Sequence, residues 1–254
     1  MTLALDLNKS AQALRVSLEK QGVASDVQAE VVFNLDVSGS FEHEHEEGTT
    51  SVLVQRLVPY GMVLDPDGII DVFTFSGGEE SAYYVGTVTP DDAEGYVNRK
   101  IVNQVPGWAG GTEYSHVLEM NLKHLGWMDC DEQHGKGGSW WSRFWGSPEA
   151  PKVHRHPQKR SIVIHVSDGE NNSSDNARTM RVLEASEQRG DNVYFLMIGA
   201  CEHGVDFAFM KAASARFKNT GFVEIRDLEA FVELSDEAMS AQLLGPELVA
   251  WLKQ

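Results

Sequence analysis

Apolar residues recur along this chain in two rhythms. Mainly apolar runs at Ala29–Leu35, Ile69–Phe75, Ile162–Val166 and Val193–Ile198 predict strands covered on both faces. Between them the spacing becomes helical. Ala11, Leu14 and Leu18 share one face of a helix capped by Asn8 and stopped by Gly22. Leu53, Leu57, Tyr60 and Leu64 predict a second helix, with a kink or late break at Pro59. Ser81–Gly86 follows Gly77 and Gly78 and is expected to form an antiparallel edge hairpin. Thr89-Pro90-Asp91-Asp92 predicts a helix start leading to Val102, and Thr112 opens another through Val117, Met120 and Leu125. Ala177, Met180 and Leu183, then Phe207–Phe217, predict two further helices. A strand at Phe222–Ile225 precedes helices at Leu228–Met239 and Pro246–Leu252.

Strands alternating with helices imply an α/β fold of three-layer, doubly wound (Rossmann-like) type. Its central sheet is expected to be mainly parallel with one antiparallel edge strand, and helices cover both faces. With no internal repeat and no shift in composition, residues 1–254 read as a single domain. Residues 1–27 form a helical N-terminal extension, 129–159 a long inserted loop, and 240–254 a C-terminal helix. The insertion carries Trp140, Trp141, Phe144 and Trp145, either a partner-binding patch or a local mini-core.

Charge narrows the set of partners. A net charge of −17 disfavours phosphate backbones and anionic lipid, so neither nucleic acid nor a membrane surface is an expected partner. No secretory leader is visible at Met1–Asp6, and no apolar run approaches membrane-spanning length, so a cytoplasmic protein is the expectation. Two distant cysteines, Cys130 and Cys201, define no disulfide framework.

Five oxygen-bearing side chains on three segments carry the chemistry. Asp36, Ser38 and Ser40 lie in Leu35-Asp36-Val37-Ser38-Gly39-Ser40-Phe41, Thr112 in Gly110-Gly111-Thr112, and Asp168 in Ser167-Asp168-Gly169. Each segment follows a buried strand or opens a helix. Two carboxylates and three hydroxyls form a hard, oxygen-only donor set, suited to Mg²⁺, Mn²⁺ or Ca²⁺ rather than to zinc or copper. Taken singly, each of these residues could equally be a helix or turn cap.

Asp-x-Ser-x-Ser after the first strand, the Gly-Gly-Thr turn and the strand-terminal Asp-Gly resemble the metal-ion-dependent adhesion site of von Willebrand factor A (vWA) domains. Together with Phe33–Phe41, Thr49–Leu57, Leu64–Phe75 and Gly107–Tyr114, they are similar to the TerF-like (tellurite-resistance, ion-stress) vWA subfamily of bacteria and phages, over roughly residues 8–239 outside the 129–159 patch. The resemblance implies a vWA fold in which Asp36, Ser38, Ser40, Thr112 and Asp168 surround one divalent cation. That cation would be completed by an exposed Asp or Glu of a partner protein. Glu170, Asn171 and His43 would line the rim, although capping of a helix is the other use for Glu170 and Asn171.

A protein-binding module without catalysis is therefore expected. A metal-assisted phosphoester hydrolase is the alternative, but the set lacks an Arg or Lys clamp and a general base. An accessory subunit docking an AAA-type ATPase would share the same site. Phe41 stands where many A-domains place Met, and the roughly 20–30 residues before the first strand are expected to be too few for a separate tellurite-resistance domain. Three other features are weaker. The His/Glu alternation from Glu42 to Glu47, with His43 and His45, is either a solvated charged loop or a ligand pair for an ion such as Zn²⁺. Cys130, His134, His154 and His156 form a zinc-type set of unfamiliar spacing. His165 reads as a satisfied core residue.

Overall fold

The computed structural model describes residues 6–128, 158, 160–201 and 204–254. The 129–159 insertion, its aromatic cluster and the set Cys130, His134, His154 and His156 lie outside the described residues, Gln158 excepted.

Six strands form one sheet: β1 (Glu30–Asp36), β2 (Ile70–Phe75), β3 (Tyr83–Val88), β4 (Ser161–Ser167), β5 (Val193–Ala200) and β6 (Thr220–Ile225). Their spatial order is β3-β2-β1-β4-β5-β6. All neighbours run parallel except β3, which pairs antiparallel with β2 at the edge. Every residue of β1, β4 and β5 is buried. This is why those segments read as continuous apolar runs, since parallel strands have no solvent face.

One face of the sheet packs Val31, Phe33, Leu35, Val72 and Ile164 against α1 (Leu7–Lys20), α3 (Thr49–Leu64), α8 (Leu228–Val232), α9 (Asp236–Leu243) and α10 (Pro246–Leu252). On the other face Val32, Phe73, Phe75, Val163 and Phe195 meet α5 (Ser115–His124), α6 (Asn176–Arg189) and α7 (Ala208–Arg216). Two short helices complete the fold, α2 (Glu42–Glu46) and α4 (Tyr96–Lys100). Fully burying one such Leu or Phe contributes roughly 1.5–3 kcal/mol, so the two apolar cores outweigh local irregularities.

Those irregularities are where the sequence expectations differ from the structure. Asp6, not Asn8, caps α1, accepting from the Lys9 amide at 3.1 Å. Helix α3 runs through Pro59 to Leu64 without a break. Leu57, Val58, Pro59, Tyr60 and Leu64 are all buried, and their packing offsets the missing amide hydrogen bond. Thr89–Asp92 is a capped turn rather than a helix start, with Thr89 N–H donating to Asp92 Oδ1 at 2.6 Å, and α4 covers five residues only. Thr112 stays in an open loop, and α5 starts at Ser115. The long helix expected at Leu228–Met239 is two helices, because Ser235 turns the chain and accepts from the Ala238 amide as a new N-cap.

The charged run after Ser40 is not a loop. Gly39–Phe41 forms a 3₁₀ turn that continues into α2. His45 is fully buried there, at 5.0 Å from the Phe41 ring centroid and 5.4 Å from that of Trp108.

Candidate metal centre

Strand order places the site. From β1 the sheet grows one way to β2 and β3, and from β4 the other way to β5 and β6, so the chain diverges between β1 and β4. A crevice opens at the carboxyl ends of such a pair. Asp36 ends β1, and Asp168 follows directly on β4.

A third segment closes over them. Ser38 forms a parallel bridge with Gly110, Gly39 N–H donates to Gly110 O at 3.0 Å, and Ala109 N–H donates to Val37 O at 2.9 Å. A Cβ on Gly39 would stand 3.2 Å from Ala109 O, a tight approach that favours glycine at this point. The Asn172 amide donates to Thr112 O at 2.8 Å, and Tyr114 Oη donates to Gly169 O at 2.6 Å, tying the same segment to the loop after β4.

The oxygens of these three segments converge. Asp36 Oδ1 accepts from Ser38 N–H at 2.8 Å and Oδ2 from Ser167 Oγ at 2.5 Å. Ser38 Oγ lies 3.3 Å from Ser40 Oγ and donates to Asp168 Oδ1 at 3.4 Å, while Ser40 Oγ donates to the same oxygen at 3.0 Å. Thr112 Oγ1 and Ser40 Oγ face one point beside Gly169, where an added Cβ would be 3.8 and 4.0 Å from them. The structure thus brings together Asp36, Ser38, Ser40 and Asp168, with Thr112 at the margin.

Electrostatics in this crevice are one-sided. Asp36 is completely buried, and burial, with the charge of Asp168 adding to it, raises its carboxyl to about pKa 7. Burial also raises Asp168, and the charge of Glu44 raises it further. Hydrogen bonds from the serines pull both the other way, and among the described residues no Lys or Arg forms a hydrogen bond or ion pair with either acid. Burying two carboxylates without a cationic partner is costly. A hard divalent ion offsets that cost, and hydroxyl and carboxylate oxygens are its proper donors. The residues present therefore fit such an ion.

The expected rim residues have varied surroundings. His43 is exposed, 3.3 Å from Glu47. Glu170 is exposed, and its carboxylate accepts from the amides of Ala208 and Phe209 at the start of α7. Asn171 is buried, accepting from Tyr114 N–H at 3.0 Å and donating to Asn176 and Thr179. His45 has both ring nitrogens engaged, with Thr50 Oγ1 and with Asp36 O, each at 2.9 Å. Burial lowers its pKa to about 4, so it is a neutral strut holding α2 to the end of β1. His165 is buried and stacked on Phe75 at 4.4 Å, with Nδ1 3.4 Å from Asn34 Nδ2.

Sequence reasoning missed two residues and the burial of a third. Ser167 shares the β4 face of His165 and could have been found by its period-two alternation beside Asp36. The burial of His45 is foreshadowed by Phe41, four residues earlier on the same helical face. The third miss is Glu113, which with His116 and Asp175 forms a gathering of potential metal-ligand atoms within 4.8 Å of one another. Arg178 already occupies its flank, with Nη1 2.5 and 2.7 Å from the His116 ring nitrogens and Nη2 2.7 Å from Glu119.

The chain is similar to several known proteins in family and fold. Residues 28–131 match the family model of the vWA domain found at the C terminus of TerF. The resemblance to TerF-like vWA domains is borne out over that segment, which is shorter than the 8–239 expected. An uncharacterized protein of Bacillus subtilis strain 168, YcbR, is 29% identical over 99 residues, 39% of this chain and 38% of YcbR. The chain thus spans well under half the length of that relative. Among solved structures, proximal thread matrix protein 1 from the mussel byssus superposes with a TM-score of 0.50 at 17% identity, covering 85% of this chain and 47% of that one. Manganese-loaded Plasmodium vivax TRAP protein gives a TM-score of 0.45 at 16% identity, covering 89% and 75%. The fold is the doubly wound α/β arrangement expected, and among the described residues no helix is long and apolar enough to cross a membrane.

Proposed function

We propose that this chain is a divalent-cation-dependent protein-docking module that captures a carboxylate of its partner, with Mg²⁺ or Mn²⁺ as the resident ion. The observation that carries this reading is the convergence of Ser38, Ser40 and Asp168 oxygens within 3.0–3.4 Å, beside a buried Asp36 carboxyl that no Lys or Arg among the described residues pairs with. Asp36 and Asp168 would supply the charge that holds the ion, and Ser38, Ser40 and Thr112 neutral oxygens that leave its field incompletely cancelled. The bound ion supplies a point of positive charge at which an acid from outside can bind.

The surrounding side chains orient the site rather than react. Ser167 and the Ser38 amide fix the Asp36 carboxylate, and His45 fixes the Asp36 main chain. Neither a nucleophile paired with a base nor a cationic clamp for a phosphoryl group stands beside the five oxygens among the described residues, which favours docking over catalysis. A role in ion-stress or tellurite-related machinery is the context that the TerF-like match suggests.

The test is Mn²⁺ binding followed by titration of an acidic peptide. Wild type is expected to bind one Mn²⁺ in this crevice and then the peptide, and Asp168→Ala to lose more than roughly 100-fold in Mn²⁺ affinity, beyond the loss of an outer-sphere partner. Unchanged Mn²⁺ affinity in Asp168→Ala would remove the reading. Metal-dependent phosphoester turnover by the wild type would replace it with the hydrolase.

A further inference from the structure

The run Glu42–Glu47 contains a residue that the five-oxygen set does not include. The 3₁₀ turn Gly39–Phe41 passes directly into α2, with Glu42 in helical geometry at φ −58° and ψ −39°. Ser40 and Glu44 are four residues apart on this continuous turn, so their side chains leave from the same side. Ser40 on that side donates to Asp168. Glu44 Oε2 is buried and has no hydrogen-bond partner. A buried carboxylate oxygen normally finds a donor or a cation, because leaving it bare costs its full desolvation.

The backbone of α2 is held too firmly for Glu44 to be a fraying end. Its own carbonyl lies 3.4 Å from Thr50 Oγ1, and His45 ties the next residue to Asp36 O. Hydrogen bonding of the neighbouring carboxylates also differs from that of Glu44. Asp36 and Asp168 accept from serines, Glu42 lies 3.3 Å from Trp108 Nε1, and Glu47 pairs with His43.

We propose that Glu44 is a third carboxylate of the cation site, coordinating the ion or accepting a hydrogen bond from a water bound on it, and so sets how tightly the site holds its ion. The proposal rests on the docking-site reading above and deepens it. It explains why Glu44 carries an unsatisfied buried oxygen next to a crevice whose acids pair with no Lys or Arg among the described residues. It also makes the charge of the occupied site lower than the five-residue set implies, so a partner's acid must compete with an internal one.

Calorimetric titration of the metal-free chain with Mn²⁺ alone tests it, using wild type, Glu44→Gln, Glu44→Asp and, as a control on the exposed side of α2, Glu47→Gln. Glu44→Gln is expected to weaken Mn²⁺ about tenfold, the low end of what a supporting ligand-shell residue contributes, with Glu44→Asp between it and wild type. Glu47→Gln should bind as wild type does. The thermal midpoint of metal-free Glu44→Gln should equal or exceed that of wild type, because a charge beside Asp168 is gone. Equal Mn²⁺ affinity in wild type and Glu44→Gln overturns the proposal and leaves the five-oxygen site standing. Weaker affinity together with a lowered metal-free midpoint overturns it as a folding effect. A wild type that binds no Mn²⁺ overturns the docking-site reading itself.

Discussion

Asp168 and Asp175 are seven residues apart and almost equally buried, at 6% and 5% exposure, yet their acidities move in opposite directions. Burial raises Asp168, and the charge of Glu44 adds to that. Burial also pushes Asp175 up, but hydrogen bonds from Ser115, Thr179 and Asn171 outweigh it and hold the carboxyl below its ordinary range. Asp175 accepts from the Ser115 amide at 3.0 Å, Ser115 Oγ at 2.5 Å and Thr179 Oγ1 at 2.7 Å, which secures α6 to α5. Its neighbourhood also holds Arg178. Asp168 has two serine hydroxyls, at 3.0 and 3.4 Å, that are shared with each other. Depth alone does not tell an acid satisfied within the fold from one that is not. What separates them is whether the protein's own donors complete the charge.

The largest expected effect comes from Asp175→Ala. It strands an amide and two hydroxyls in the interface between α5 and α6, a loss on the order of 2–3 kcal/mol in unfolding free energy, measured by urea denaturation. Mn²⁺ affinity should remain within about twofold of wild type, since the acid is structural. A folded Asp175→Ala that no longer binds Mn²⁺ would dissolve the distinction.

Acidity gives a smaller, signed effect. The folded-state pKa of Asp36 is raised from 3.8 to about 7, so its contribution to metal-free stability is full below about pH 4 and is lost as pH rises through about 7. Asp175 is lowered, so its contribution is present above the ordinary carboxylate value and lost as pH falls through its depressed one. His45, lowered to about 4, and His165, lowered to about 3, cost stability as pH falls below 6.5, but they cancel when two variants are compared. The Tm of metal-free wild type minus that of Asp36→Asn should therefore decrease from pH 5 to pH 8. A flat difference would mean that Asp36 is not the strained acid described here. Saturating Mn²⁺ should remove the decrease, because the ion needs the ionised form.

The smallest effect is at Arg178. Replacing it by Met removes the guanidinium from the His116 edge and exposes the Glu113, His116 and Asp175 gathering. A second, weaker Mn²⁺ equivalent should then appear in the titration. Two equivalents already present in the wild type would show that Arg178 does not neutralise that cluster.

Much of this was legible without coordinates. Buried runs such as Ile162–Val166 and Val193–Ile198 marked parallel strands because a strand covered on both sides is mainly apolar on both faces. The turn residues Gly77 and Gly78 marked the antiparallel edge. Helix ends were less legible, since Ser235 and Asp6 act as caps only where packing leaves an amide for them to satisfy. The Glu42–Glu47 run was the hardest case. Its composition is that of a solvated segment, and only the seating of His45 between Asp36 O and Thr50 turns it into a helix with one buried imidazole and one bare carboxylate oxygen.

The sequence by itself determined the layer architecture and singled out five oxygen-bearing side chains as candidates, because both follow from residue type and local period. It also put Asp36 and Asp168 at the ends of two buried strands. Tertiary structure alone decided which acids are completed by internal donors and which are not. That depends on contacts between segments some 60 to 130 residues apart, such as Ser115 with Asp175 or Ser38 with Asp168. No local pattern encodes those distances, since they arise only when β1 and β4 come together and the loop before α5 folds across their ends.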